Sequence, residues 1–129
     1  MMRIGIDLDN TITASKNSIK FFSLLTNLFR GAAVVYIITN RDKNEYSRKD
    51  TMNELRDLEI YYDELVITKN KKDVIVDEEI TVYFDDTDEY FLELPDSVTV
   101  LKIREDGNFD FSAHKWLYSE KTGINCKDI

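Results

Sequence analysis

Asp7-Leu8-Asp9-Asn10-Thr11 sets two carboxylates two positions apart, directly after the apolar run Ile4-Gly5-Ile6. Carboxylates that close repel each other, so one takes up a proton or a cation is drawn to the pair. The spacing suits a hard, oxygen-seeking ion such as Mg²⁺, with one Asp free to attack an electrophile and the other to move a proton. Asp, Asn and Thr are also ordinary turn formers after a strand, and the stretch alone leaves both readings open.

Further polar residues close other apolar runs. Thr39-Asn40-Arg41 ends VVYIIT, Thr68 and the cluster Lys69, Lys71 and Lys72 follow ELVIT, and Asp85-Asp86 ends TVYF. A phosphate pocket needs a nucleophilic carboxylate, hydroxyl and amide donors for the phosphoryl oxygens, a cation to screen charge, and acidic ligands for Mg²⁺. One strand end with Asp and Thr means little. Several such ends in this order are hard to obtain by chance.

The elements that must position these residues alternate along the chain. Residues 3–8, 34–39, 64–68, 81–84 and 97–103 read as short apolar strands. Helices are expected between them over 18–30, 44–59, 71–76 and 88–94. Gly31 and Pro95 stand at two of the helix ends, and a last helix is expected over 112–121. Apolar strands separated by helices imply an α/β fold. The expected form is a doubly wound, mainly parallel five-stranded sheet with helices on both faces and right-handed crossovers. Ligands bind such sheets beyond the carboxyl ends of the strands, at the switch point. No repeat, low-complexity tract or linker divides the chain, so residues 1–129 are expected to form a single domain.

Composition narrows the class. With 43% hydrophobic and 33% charged residues, the chain reads as an ordinary globular protein able to bury one core. A net charge of −8 argues against a broad nucleic-acid-binding face. No apolar run reaches the length of a membrane span, no signal-peptide pattern opens the chain, and Cys126 is the single cysteine. These features lead to the expectation of a cytoplasmic protein.

The ordered motifs resemble those of the haloacid dehalogenase-like phosphatase superfamily. Asp7-Leu8-Asp9-Asn10-Thr11 is similar to its first motif, DxDx(T/V), and Thr39 to its second. A lysine at the start of the following helix is similar to the third, and Asp85-Asp86 to the DD form of the fourth. The resemblance covers about the first ninety residues. It implies a Mg²⁺-dependent phosphatase acting on a phosphate monoester such as a nucleotide or sugar phosphate. Asp7 would be the nucleophile that forms an aspartyl-phosphate. Asp9 would protonate the leaving oxygen and then activate water. The Asp7 carboxylate, the Asp9 backbone carbonyl and Asp86 would hold Mg²⁺, with Asp85 behind them or as an extra ligand. Thr39 would hydrogen-bond the phosphoryl group, and Lys71, with Lys69 and Lys72 as alternatives, would neutralise charge. Thr11, Asn40 and Arg41 complete the expected substrate contacts. Asn10 stands where Gly is commoner in the motif, and Asn tolerates the turn conformation involved.

Members of that superfamily often carry a cap domain. Here one helix fills most of the stretch between Thr11 and Thr39, and the later gap is filled by a helix and a strand. The chain therefore reads as capless with a rather open site, covered by a large substrate or by a second copy in a homo-oligomer, and with residues 13–17 as a flap. Two other classes stay open: a phosphoryl-accepting signalling domain of the response-regulator type, and a catalytically silent binding module. The first is opposed by order, because Thr68 rather than Asp follows the third strand. Duller roles also exist. Asp85-Asp86 could cap a helix, His114 could be a surface residue, and Phe109, Phe111, Trp116 and Tyr118 could pack back on the sheet.

Overall fold

The computed structural model describes residues 1–42, 44–104, 109–110 and 112–116. Five strands form one all-parallel sheet: β1 (Met2–Ile6), β2 (Ala33–Thr39), β3 (Glu64–Ile67), β4 (Val82–Asp85) and β5 (Thr99–Lys102), in the order β3-β2-β1-β4-β5. The helices between them are α1 (Lys16–Phe29), α2 (Glu45–Asp57), α3 (Lys71–Asp77) and α4 (Asp88–Leu92). A 3-10 turn over Ile12–Ala14 precedes α1.

The alternation of side chains along buried strands builds two cores, one on each face. Ile4, Ile6, Val35, Ile37, Leu65, Ile67 and Phe84 face Phe22 of α1 and Leu55 of α2. Tyr36, Ile38 and Tyr83 face Ile75 of α3, with Phe91 of α4 packed against them. Helices thus lie on both faces of a doubly wound sheet, as the sequence implies.

Local chemistry sets the helix ends. Ser15, Asn44 and Asn70 each accept a hydrogen bond from the backbone N–H three residues on and so start α1, α2 and α3. Gly31, at φ 77°, lets the chain turn left-handed after α1. Gly5 matters for a different reason. A Cβ there would come within 3.0 Å of Tyr83 Cδ1 and 3.1 Å of Ile38 Cδ1, so the bare backbone lets the second core close onto β1.

Several boundaries differ from the sequence expectation. β1 stops at Ile6, not at residue 8, because the Leu8 carbonyl accepts from Thr11 N–H and Thr13 N–H and the chain curls there. Leu8 is apolar because it is fully buried in the first core, not because it continues the strand. β5 starts only at Thr99, since Val98 N–H closes a turn on the Pro95 carbonyl. The helix expected over 112–121 is not what its described part adopts. Lys115–Trp116 is a strand, β7, paired antiparallel with Phe109–Asp110, β6. His114 is exposed at φ 54° in the turn that joins them. Phe111, Tyr118 and Cys126 lie outside the described residues. Among the described residues no helix is long and apolar enough to cross a membrane, and no inserted unit separates β1 from β2 or β3 from β4.

Candidate functional site

The strand order puts the ends of β1 and β4 side by side at the point where the chain reverses its direction across the sheet. Asp7 N–H continues the ladder by donating to the Phe84 carbonyl at 3.0 Å, which sets Asp7 beside Asp85 and Asp86. The carboxylates of Asp7, Asp85 and Asp86 each offer an oxygen within 4.8 Å of the others, a geometry that could hold a metal ion.

Lys71, the first residue of α3, reaches into this group. Its Nζ lies 2.8 Å from Asp7 Oδ1 and 3.0 Å from Asp85 Oδ2, and all three side chains are almost wholly buried. Burial works to lower the Lys71 pKa. The two carboxylates outweigh it and keep the ammonium charged. For Asp7, burial and the Asp85 charge outweigh Lys71 and Thr11 and push the pKa up to about 8. Asp86 shifts upward as well, mainly through burial.

Hydroxyls complete the wiring. Thr11 Oγ1, fully buried, donates to Asp7 Oδ2 at 2.8 Å and lies 3.3 Å from Asp86 Oδ1. The Tyr83 hydroxyl donates to Asp85 Oδ2, and Thr87 N–H donates to Asp85 Oδ1. Both oxygens of Asp85 are therefore engaged inside the protein, one of them by two donors. Asp7 takes one donor on each oxygen, Lys71 on Oδ1 and Thr11 on Oδ2, so it and the half-buried Asp86 keep more acceptor capacity for a cation than Asp85, which fixes Lys71. This donor set is all oxygen, the kind that hard divalent cations take.

The residues at the end of β2 and just after it lie to the other side of Asp7. Thr39 is fully buried, and its Oγ1 is 3.5 Å from Asp9 Oδ2. Arg41 grips the two oxygens of Asp9 through Nε at 3.0 Å and Nη2 at 2.7 Å. The hydrogen bonds that Arg41 donates to Asp9 outweigh its partial burial and raise its pKa further, so it is always charged. Asn40 Nδ2 donates to the Tyr90 hydroxyl at 3.2 Å. The Tyr90 ring sits 4.3 Å from Lys71 Nζ, a cation–π contact. This bridge from β2 to α4 lies over the lysine, and Asp7 is only 5% exposed. The centre is more enclosed than a site without a cap implies. Residues 13–17, expected as a flap, form the end of the 3-10 turn and the capped start of α1.

Lys69 and Lys72 are exposed, so of the three candidate lysines only Lys71 enters the centre. Asn10 takes the left-handed conformation at φ 59°. Sequence reasoning missed Tyr83, Tyr90 and Lys102. Tyr83 could have been found from strand alternation, since it shares a face with Asp85 two residues on. Lys102 Nζ donates to the Asp86 carbonyl at 2.5 Å and pairs with Asp88 at 2.8 Å. It closes a strand that the sequence marks only as apolar. The groove of about 920 Å³ beside α1 and α2, lined by Leu24, Leu28, Met52 and Tyr61 among others, involves none of these residues. No protein-family model matches the chain, and neither the curated proteins nor the solved structures give a significant match.

Proposed function

We propose that this chain is a Mg²⁺-dependent phosphohydrolase that cleaves a phosphate monoester through an aspartyl-phosphate on Asp7, as its resemblance to haloacid dehalogenase-like phosphatases implies. One observation carries the reading. A buried lysine bridges two carboxylates of a three-Asp cluster at the switch point of a doubly wound sheet. Purely structural burial of so many charges is costly, and the cost is commonly met where chemistry needs it.

In this reading an Asp7 oxygen attacks phosphorus, the bond from phosphorus to the ester oxygen breaks, and Asp9 gives that oxygen its proton. Asp9 then takes a proton from water as the water oxygen attacks the aspartyl-phosphate, and inorganic phosphate leaves with Asp7 restored. Thr39 and Lys71 hold the phosphoryl oxygens. Mg²⁺, held by the Asp7 and Asp86 carboxylates and the Asp9 carbonyl, would offset the repulsion between phosphate and three aspartates. Nucleotides and sugar phosphates are the substrates to screen first.

The test is intact-mass analysis after incubation with an activated phosphate donor and Mg²⁺. Asp9→Asn should carry one phosphoryl adduct, and Asp7→Asn with Asp9→Asn should carry none. An adduct that survives loss of Asp7, or steady-state turnover undiminished in excess chelator, would overturn the reading.

A further inference from the structure

The Arg41 guanidinium has five N–H donors in a fixed fork. Nε and Nη2 take the two oxygens of Asp9, Nη2 also reaches Glu54 Oε1 at 2.8 Å, and Nη1 reaches Thr51 Oγ1 at 3.0 Å. Thr51 and Glu54 lie three residues apart on α2, hence on one face of the helix. Thr51 is fully buried, and its own hydroxyl donates to the Ser47 carbonyl at 2.7 Å. Leu55 beside it is fully buried in the first core. The guanidinium is thus tied on one side to a helix face locked into the core. On the other side it grips the residue two positions after Asp7.

An ordinary surface ion pair does not look like this. Exposed pairs hold two long flexible chains by one contact and contribute little. Here the carboxylate is gripped bidentately, the arginine is three-quarters buried, and its remaining contacts belong to a rigid element. Asp9 has a half-exposed side chain on a turn, and the Arg41 contacts at 2.7 and 3.0 Å are shorter than the 3.5 Å approach of Thr39 Oγ1.

We propose that Arg41 is a positioning residue. Anchored by Thr51 and Glu54 of α2, it holds the Asp9 carboxylate in the one orientation from which it can serve the reacting group at Asp7. The inference rests on the phosphohydrolase reading for its catalytic consequence, but the anchoring stands on the contacts alone. It also reassigns Arg41, which the sequence offers as a substrate contact: its fork is filled by Asp9.

Two measurements test this on the full chain. The first is steady-state hydrolysis of an alkyl phosphate by Arg41→Ala, Arg41→Lys, Glu54→Gln and the Arg41→Ala/Glu54→Gln pair. A misplaced catalytic group costs up to about a hundredfold, so Arg41→Ala should lower kcat about ten- to a hundredfold and leave KM within about threefold. Millimolar guanidinium should restore part of the loss in Arg41→Ala. Arg41→Lys should recover little, because a point charge cannot fork. Glu54→Gln should lower kcat less and add nothing in the Arg41→Ala background, since the two act in one chain. A raised KM with kcat unchanged would make Arg41 a substrate anchor and overturn the proposal, as would independent effects of Arg41 and Glu54.

The second measurement needs no turnover. In ¹⁵N NMR the Arg41 Nε–H should be slowly exchanging, and Asp9→Asn should shift it or abolish its protection. An Nε–H indifferent to Asp9 would overturn the anchoring. If the wild-type chain hydrolyses no phosphate, the phosphohydrolase reading falls, and the NMR result still decides the anchoring.

Discussion

Lys71 Nζ lies 2.8 Å from Asp7 Oδ1, although the two residues are 64 positions apart and on different elements. The contact joins the start of α3 to the end of β1 and is buried at both ends. With Asp85 3.0 Å away on its other side, the lysine is shared between two acids that would otherwise face each other in a medium of low dielectric.

Lys71→Met should therefore cost about 3–5 kcal/mol at pH 8, the usual penalty for removing one partner of a buried ion pair. Urea unfolding measures it. At pH 5 the cost should shrink, because Asp7, raised to about 8, is then already protonated in the wild-type chain and its contact with Lys71 is no longer an ion pair. An equal loss at both pH values would show that Lys71 contributes packing rather than charge.

Without metal, the chain should lose stability as pH rises. The Asp7 pKa is raised from its ordinary 3.8 to about 8, so across that interval the folded state holds a proton that the unfolded state has released. Stability then falls with increasing pH. Asp86 shifts in the same direction and adds to the trend. Mg²⁺ must displace these protons to bind, so its stabilising effect should grow from pH 6 to pH 8.5. Thermal unfolding with chelator and with Mg²⁺ at both pH values reads both effects. A Mg²⁺ shift that is constant with pH would separate the metal from Asp7 and Asp86.

Tyr90→Phe keeps the ring over Lys71 and removes the hydroxyl that accepts from Asn40. Stability should change by about 1 kcal/mol or less, the worth of one partly exposed hydrogen bond. On the phosphohydrolase reading, kcat/KM for a bulky aryl phosphate should rise relative to that for methyl phosphate, because the bridge over the centre is gone. Identical effects on the two substrates would show that the bridge does not limit access.

The parallel sheet was legible because buried strands such as VVYIIT and the intervening amphipathic segments leave little choice of topology. The polar residues at strand ends were legible because each group closes an apolar run: Asp7 after Ile4-Gly5-Ile6, Thr39 at the end of VVYIIT and Asp85-Asp86 after TVYF. Other features have no local signal. Leu8 looks like strand and is a buried turn residue, and its conformation is set by two hydrogen bonds to Thr11 and Thr13. The 115–116 strand depends on pairing with Phe109–Asp110, a non-local term that helical spacing overlooks. Arg41 was visible as a cation after β2. Its grip on Asp9 depends on where α2 docks, which no spacing reveals.

Gly5 lies on the sheet, yet it is two contacts from the chemistry. The atom nearest the missing Cβ is Cδ1 of Tyr83, and the hydroxyl of that ring donates to Asp85, the acid that shares Lys71 with Asp7. An alanine at position 5 would press on the ring at 3.0 Å, and on Ile38 and Ile80 at 3.1 and 3.3 Å, so these side chains must give by a few tenths of an ångström. The ring is fully buried, so any shift it makes is felt by the groups packed against it, the Asp85 carboxylate among them. Gly5→Ala should thus misalign the acids while costing about 1–3 kcal/mol of overpacking. Tyr83→Phe in the same chain, which cuts the tyrosine–acid link, should release the acids but not the overpacking. Tyr83 works as a tappet: clearance within the sheet sets timing at its end, and tolerance to mutation at Gly5 is set by the site as well as by the core.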